Sequence, residues 1–177
     1  MKLKISLGQM DVTLGAPDEN LEKAQLLAAE AARRGSDFLV LPELWSTGYD
    51  LENAADYATP TDAGIFAEMA AIADRHNLYL LGSCLSRQGD GGAGNTFANT
   101  AVLFDPEGNA LGEYSKIHLF RLMDEEKYLT GGDHLTIVDT PLGKMGLAIC
   151  YDLRFPELFR AYALDGASVI FLPSEWP

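Results

Sequence analysis

The chain has 177 residues, 47% hydrophobic and 22% charged, which is enough apolar material for one sizeable core. Its 26 acidic against 13 basic side chains leave a net charge of -13, which argues against nucleic acid or an anionic membrane as partner, because phosphate binding needs clustered Lys and Arg. No stretch approaches membrane-spanning length, Met1 to Gln9 lacks the apolar run and cleavage site of a signal peptide, and the two cysteines make no disulfide framework, so a cytoplasmic location is expected.

In chain order, strand and helix patterns alternate. Leu3 to Gln9 is predicted as a first strand. Pro17, Asp18 and Glu19 then open a helix with Leu21, Ala24, Leu27, Ala28 and Ala31 along one face, ended by Gly35. Phe38 to Leu41 is a near-continuous apolar strand of the kind buried on both faces. A second helix is predicted from about Asp62 to His76, with Ile65, Met69, Ile72 and Ala73 inward, and Tyr79 to Cys84 returns to the sheet. The glycine-rich stretch Gln88 to Asn95 reads as a flexible surface turn and lacks the strand-then-helix setting of a phosphate loop.

Asn99 to Phe104 and Ala110 to Tyr114 flank Asp105-Pro106-Glu107-Gly108-Asn109, a hairpin turn. Ser115 to Asp133 is polar and weakly periodic, and a loop of that length in a compact domain is usually functional, here as a pocket wall. Leu135 to Val138 and Lys144 to Cys150 are predicted as a strand pair, followed by a helix from about Pro156 to Leu164 and a strand from Ser168 to Leu172. There is no repeat or linker, so residues 1–177 read as one domain. The chain stops five residues after an apolar strand with nothing to cover that strand's far side. The expectation is a domain lacking its C-terminal part, either a fragment or a chain that needs a partner to close its core.

Three strand ends carry chemistry. Cys150 follows Gly146-Leu147-Ala148-Ile149 and precedes Tyr151-Asp152-Leu153-Arg154-Phe155-Pro156-Glu157, the layout of a nucleophile on a strand-to-helix turn, where N–H groups at a helix start would lower a thiol pKa. Taken alone, Cys150 reads equally well as a buried core cysteine. Glu43 lies just beyond Phe38-Leu39-Val40-Leu41-Pro42, and Lys116 just beyond Leu111-Gly112-Glu113-Tyr114-Ser115. By themselves they read as a cap and a surface lysine. In an open α/β sheet, however, ligands bind beyond the carboxyl ends of strands, and three such ends would bring Glu43, Lys116 and Cys150 into one pocket.

These segments, in the order Glu, Lys, Cys, resemble the carbon-nitrogen hydrolases, or nitrilase superfamily, from the first strand to Pro177. Arg154-Phe155-Pro156-Glu157 and the ending Pro173-Ser174-Glu175-Trp176-Pro177 look most like the ω-amidase branch. The resemblance implies an α/β fold, a four-layer α-β-β-α sandwich incomplete at its C-terminus, and hydrolysis of a small ω-amide of the 2-oxoglutaramate type through a thioester. Glu43 would be the base, Cys150 the nucleophile, and Lys116 with the Tyr151 N–H the oxyanion donors. Glu125 fits the family's second glutamate, because Leu129-Thr130-Gly131-Gly132-Asp133 resembles Leu-x-Pro-Gly-Asp with Gly131 in place of proline. Glu126 is the competing choice, and a solvated charge run the bland one. Family members pair as homodimers or larger homo-oligomers.

Around that triad, Arg154 either pairs with Asp152 or Glu157, the favoured role, or binds a substrate carboxylate bidentately. Tyr49 is a pocket wall or, by default, a core aromatic, His118 a packed or hydrogen-bonded residue, and Cys84 a buried and inert one. His76, His118 and His134 fall in no metal-ligand spacing with either cysteine, so neither metal nor organic cofactor is expected. The spacing from Cys150 to Arg154 is too short for a tyrosine-phosphatase loop. A nitrile hydrolase with the same triad, or a non-catalytic truncated chain acting only as an assembly partner, are the alternatives.

Overall fold

A computed structural model describes residues 3–89 and 96–176. The first strand, β1 (Ile5–Leu7), is shorter than predicted; it pairs on one side only, in parallel with β2 (Phe38–Val40). Between them α1 (Pro17–Arg33) begins at Pro17 with Asp18 and Glu19 in its first turn, where a proline loses no hydrogen bond and acids meet the positive end of the helix dipole. It turns Asn20, Ala24, Ala28 and Ala31 inward and is followed by Gly35 at φ +67°. Two short helices follow: a 3-10 turn, Leu51–Asn53, and α2 (Ala54–Tyr57); neither had a sequence signal, since each spans under two turns.

The predicted second helix is α3 (Ile65–His76), with Phe66, Met69, Ile72 and Ala73 buried and Asn77 in the left-handed cap conformation. β3 (Tyr79–Gln88) runs four residues beyond the predicted end at Cys84, because it pairs antiparallel with β4 (Thr96–Phe104) from Leu80 to Gln88. Two of the polar residues that break its apolar pattern are hydrogen-bonded there: the Ser83 hydroxyl accepts the Leu44 N–H at 3.0 Å and the Ser86 hydroxyl meets that of Thr100 at 2.6 Å. β5 (Ala110–Ser115) completes the hairpin and the five-stranded sheet, in the order β1-β2-β3-β4-β5. Of the glycine-rich turn predicted at Gln88–Asn95, residues 90–95 lie outside the described ones.

The long segment after β5 contains a 3-10 turn, Arg121–Met123, and α4 (Glu125–Tyr128). A second sheet, in the order β6-β7-β8, pairs β6 (Thr136–Thr140) antiparallel and β8 (Val169–Phe171) parallel to β7 (Gly143–Leu147), with α5 (Pro156–Leu164) crossing over. β7 ends three residues before Cys150. Ala148 and Cys150 nevertheless continue the pairing, donating to the Phe171 and Pro173 carbonyls at 3.0 and 2.9 Å.

The layers follow from side-chain alternation. In β2, Leu39, with Leu41 just beyond it, faces the core under α1 and α3, while Phe38 and Val40 face a second core shared with Val138, Met145, Leu147 and Phe171 of the other sheet. A continuous apolar strand is therefore required, and each such fully buried side chain contributes roughly 1.5–3 kcal/mol. On the far side of the second sheet, Leu158 and Tyr162 of α5 pack on Ala148, Ile137 and Ile170. The result is the expected α-β-β-α sandwich. Among the described residues, no helix is long and apolar enough to cross a membrane.

Candidate active site

At the carboxyl end of β2 the chain turns sharply through Leu44, at φ +46°, and drives the Glu43 side chain inward. That turn is tied to β3 by the Leu44 N–H on the Ser83 hydroxyl at 3.0 Å, and to α1 by the Asn20 amide on the Ser46 carbonyl at 2.9 Å. Lys116 follows β5 directly; its N–H donates to the Asn99 carbonyl and its own carbonyl accepts from Gly132, both at 2.9 Å. Glu125 opens α4 and points inward, whereas Glu126 faces solvent and meets Arg121 at 3.1 Å.

These three side chains meet with no solvent exposure: Lys116 Nζ donates to Glu43 Oε1 and Glu125 Oε1, each at 2.7 Å. Asn99 adds a 2.9 Å bond to Glu43 Oε1, the Glu175 N–H reaches Glu43 Oε2 at 3.1 Å, and the Phe120 N–H reaches Glu125 Oε2 at 2.6 Å. Burial opposes the Lys116 charge, but the two carboxylates outweigh it and hold its pKa above the usual lysine value. Burial raises the Glu125 pKa further than Lys116 lowers it.

Cys150 opens a 3-10 turn, Cys150–Arg154, in the left-handed conformation at φ +44°, a geometry that strains a non-glycine residue and aims its side chain out of the strand line. Its thiol faces the Glu175 carbonyl at 3.8 Å. Burial first, and then the charge and hydrogen bonding of Glu43, push the thiol up to about 12, although Lys116 pulls the other way. The sequence expectation of a lowered thiol pKa is thus reversed. A local helix-start effect is outweighed by desolvation and a facing carboxylate.

Asp152 anchors this turn. Its buried carboxylate accepts the Tyr114 hydroxyl at 2.8 Å, the Ile149 N–H at 2.9 Å and the His118 N–H at 3.1 Å, and meets His118 Nδ1 at 2.7 Å. His118 stacks on Phe155, so it is a packed residue, as expected. The structural role favoured for Arg154 does not hold: Asp152 is already engaged, and among the described residues Arg154 forms no ion pair with Asp152 or Glu157. Its exposed guanidinium lies 5.5 Å over the Trp176 ring.

Arg154, Trp176, Phe120, Met123 and Tyr151 line a cavity of about 50 Å³ against Cys150. Tyr49 is half-buried near Glu43, Glu125 and Cys150; burial, then those charges, push its hydroxyl pKa upward. A larger cavity, about 470 Å³, lies at the opposite ends of β2 and β3, lined by Ser36, Asp37, His76 and Tyr79 and apart from Cys150. Cys84 is fully buried, as expected, and burial pushes its thiol up to about 12. Among the described residues, no cluster of His, Cys, Asp and Glu has the form of a metal site. Asn99, Asp152 and Glu175 had gone unnoticed as site residues; only Asn99 carries a sequence signal, an amide inside the apolar run of β4.

Two stacked sheets flanked by helices, with a buried acid-lysine-acid cluster beside a strained cysteine, define a carbon-nitrogen hydrolase architecture. Residues 4–177 match the family described as carbon-nitrogen hydrolase, and the chain belongs to it. It is 38% identical to the 2-oxoglutaramate amidase of Bacillus subtilis over all of this chain and 66% of that protein. It is 33% identical to a chloroplastic omega-amidase of Arabidopsis thaliana over 97% of this chain and 48% of the relative. The chain thus spans between about half and two thirds of the length of these relatives. Among solved structures, an amidase of Nesterenkonia sp. AN1 superposes with a TM-score of 0.84 at 25% identity, over 98% of this chain and 67% of that one. A variant of that amidase, with a TM-score of 0.85 at 25% identity over 97% of this chain and 64% of its own, carries the acetamide moiety of fluoroacetamide on its active-site cysteine.

Proposed function

We propose that the chain carries the active site of a cysteine-dependent amide hydrolase acting on the ω-amide of a small dicarboxylic acid, of the 2-oxoglutaramate type. The observation behind this proposal is the buried cluster in which Lys116 bridges Glu43 and Glu125 against Cys150. A thiol that rests protonated needs a base at the moment of attack, and Glu43 is the acid beside it.

As Cys150 Sγ bonds to the amide carbonyl carbon, Glu43 takes the thiol proton and the carbonyl electron pair moves to oxygen, where Lys116 and the Tyr151 N–H hold it. Collapse breaks the C–N bond; Glu43 returns the proton to nitrogen, and ammonia leaves a thioester. Water then attacks the thioester, giving its proton to Glu43. The C–S bond breaks, and the sulfur regains a proton as the acid departs. Such acid-base transfer is worth roughly 10²–10⁴ in rate, and one oxyanion donor about 3 kcal/mol. Glu125 fixes Lys116 and the substrate amide, and Tyr49 flanks the reacting carbon. Arg154, unpaired at the rim, takes the distal carboxylate through its planar fork.

The amidase names of the relatives support this activity, and a single family match over residues 4–177 supports treating the chain as one domain. A cytoplasmic enzyme assembling as a homodimer or larger homo-oligomer completes the proposal; the exposed Leu153 and Leu164 around α5 are apolar surface for such pairing. The test is ammonia release from 2-oxoglutaramate and from neutral propionamide by this chain. Both should turn over and Cys150→Ala should abolish both, while Arg154→Ala raises KM about tenfold for the charged substrate alone, as expected for a lost charge-assisted bond. Carboxylate formed from nitriles but not from amides would move the activity to nitrile hydrolysis. Turnover of neither class would sink catalysis by this chain.

A further inference from the structure

Asn99 lies in the middle of β4, fully buried, opposite Leu85 of β3. It stands between the buried Ala98 and Thr100, and the next residue on its own face, Ala101, is small, apolar and buried; a strand position facing such neighbours favours an apolar side chain, because a buried amide must find partners for both of its ends. Asn99 finds only one. Among the described residues its Oδ1 is buried without a hydrogen-bond partner, while its Nδ2 donates to Glu43 Oε1 at 2.9 Å. The orientation of the amide is settled chemically, since only the NH₂ end can donate to a carboxylate.

The same residue also reaches the lysine. Its main-chain carbonyl accepts the Lys116 N–H at 2.9 Å, in the step where the chain leaves β5. Glu43 Oε1 therefore carries two donors, Lys116 Nζ at 2.7 Å and Asn99 Nδ2. The second donor stops the carboxylate from rotating about its bond to the lysine. Glu43 Oε2 is left on the side of Glu175, whose N–H it accepts at 3.1 Å and whose carbonyl faces the Cys150 thiol.

We propose, resting on the amidase assignment above, that Asn99 is a positioning residue: it sets the plane of the Glu43 carboxylate and the origin of Lys116 at once, so that one oxygen binds the lysine and the other serves the thiol. A buried amide with one end unmet is retained in β4 because its other end holds the base.

Asn99→Leu removes the donor at nearly equal volume. Losing a hydrogen bond to a charged group should lower kcat by about 10–100-fold while KM stays within about threefold, since base alignment matters in the transition state more than in substrate binding. Asn99→Asp, which replaces the donor by a carboxylate facing Glu43, should lose at least as much. A structural role is separated by a double-mutant cycle read on iodoacetamide labelling of Cys150, followed by mass. Asn99→Leu should change that rate about threefold or more beside Glu43 and leave it unchanged in the Glu43→Gln background.

A kcat within about threefold of wild type for either variant would overturn the proposal, as would equal labelling effects in both backgrounds. Collapse of the thermal melt in both variants would also overturn it, by making Asn99 a structural residue. If the wild-type chain releases no ammonia, the amidase assignment fails by itself, and the labelling cycle still decides the part played by Asn99.

Discussion

Cys150 is held as a protonated thiol by its surroundings, with burial and Glu43 acting against Lys116. The consequence is that the proposed nucleophile stays quiet until a substrate arrives. With a thiol pushed up to about 12, iodoacetamide labelling of the substrate-free protein at pH 8 should be slower than that of an ordinary free thiol by roughly two to three orders of magnitude, and should climb about tenfold per pH unit to pH 10. A rate already flat near pH 8 would mean a resting thiolate. Lys116 is the complementary case: a cation without solvent contact survives because two carboxylates surround it, and removing it would leave both acids buried and unpaired. From the sequence, Glu43 by itself reads as a cap and Lys116 as a surface lysine. Only their joint spacing pointed inward, and the contact with Glu175 left no mark on it.

Between β7 and α5, the 3-10 turn that presents Cys150 is packed through Tyr151 against Phe120 and Phe155, and Asp152 adds a polar tether. Its carboxylate gathers the Ile149 N–H, the His118 N–H and the Tyr114 hydroxyl, joining the cysteine turn to the strand end that carries Lys116. Asp152→Ala strands these donors in a buried site and should cost about 3–5 kcal/mol in urea denaturation. A loss under about 1 kcal/mol would show that the turn is held by packing alone. Gly132 plays a steric part at the same junction, because a Cβ there would overlap the Ser115 carbonyl. Elements with a strong period, α1, α3 and α5, were legible within a few residues. β3 was cut short by its polar end, and α2 and α4 were missed, because four-residue helices exist only through the contacts that surround them.

Across the whole molecule, the groups whose folded pKa lies above the ordinary value set the alkaline limit of stability. Cys84 and Cys150, both raised from 9.0 to about 12, and Lys116, raised above 10.5, bind protons more tightly folded than unfolded. Their contribution is fully present below about pH 9 and is lost as pH rises toward 12, so the melting temperature should fall steadily from pH 9 to 11. A flat melting temperature over that window would contradict the burial of both thiols. The apolar alternation that sorts Phe38 and Val40 from Leu39 and Leu41, and the order Glu43, Lys116, Cys150, are local properties and could be read from the chain alone. The sequence by itself therefore determined a strand buried on both faces and the chemistry-bearing strand ends, while the four layers were implied by the family resemblance those residues carry. Only the tertiary structure decided which glutamate turns inward, that Asn99 and Asp152 join the site, that Arg154 lies over Trp176 rather than pairing with Asp152 or Glu157, and that the thiol is raised rather than lowered. Each of these depends on burial and on charges brought together from distant segments, and no local pattern encodes that.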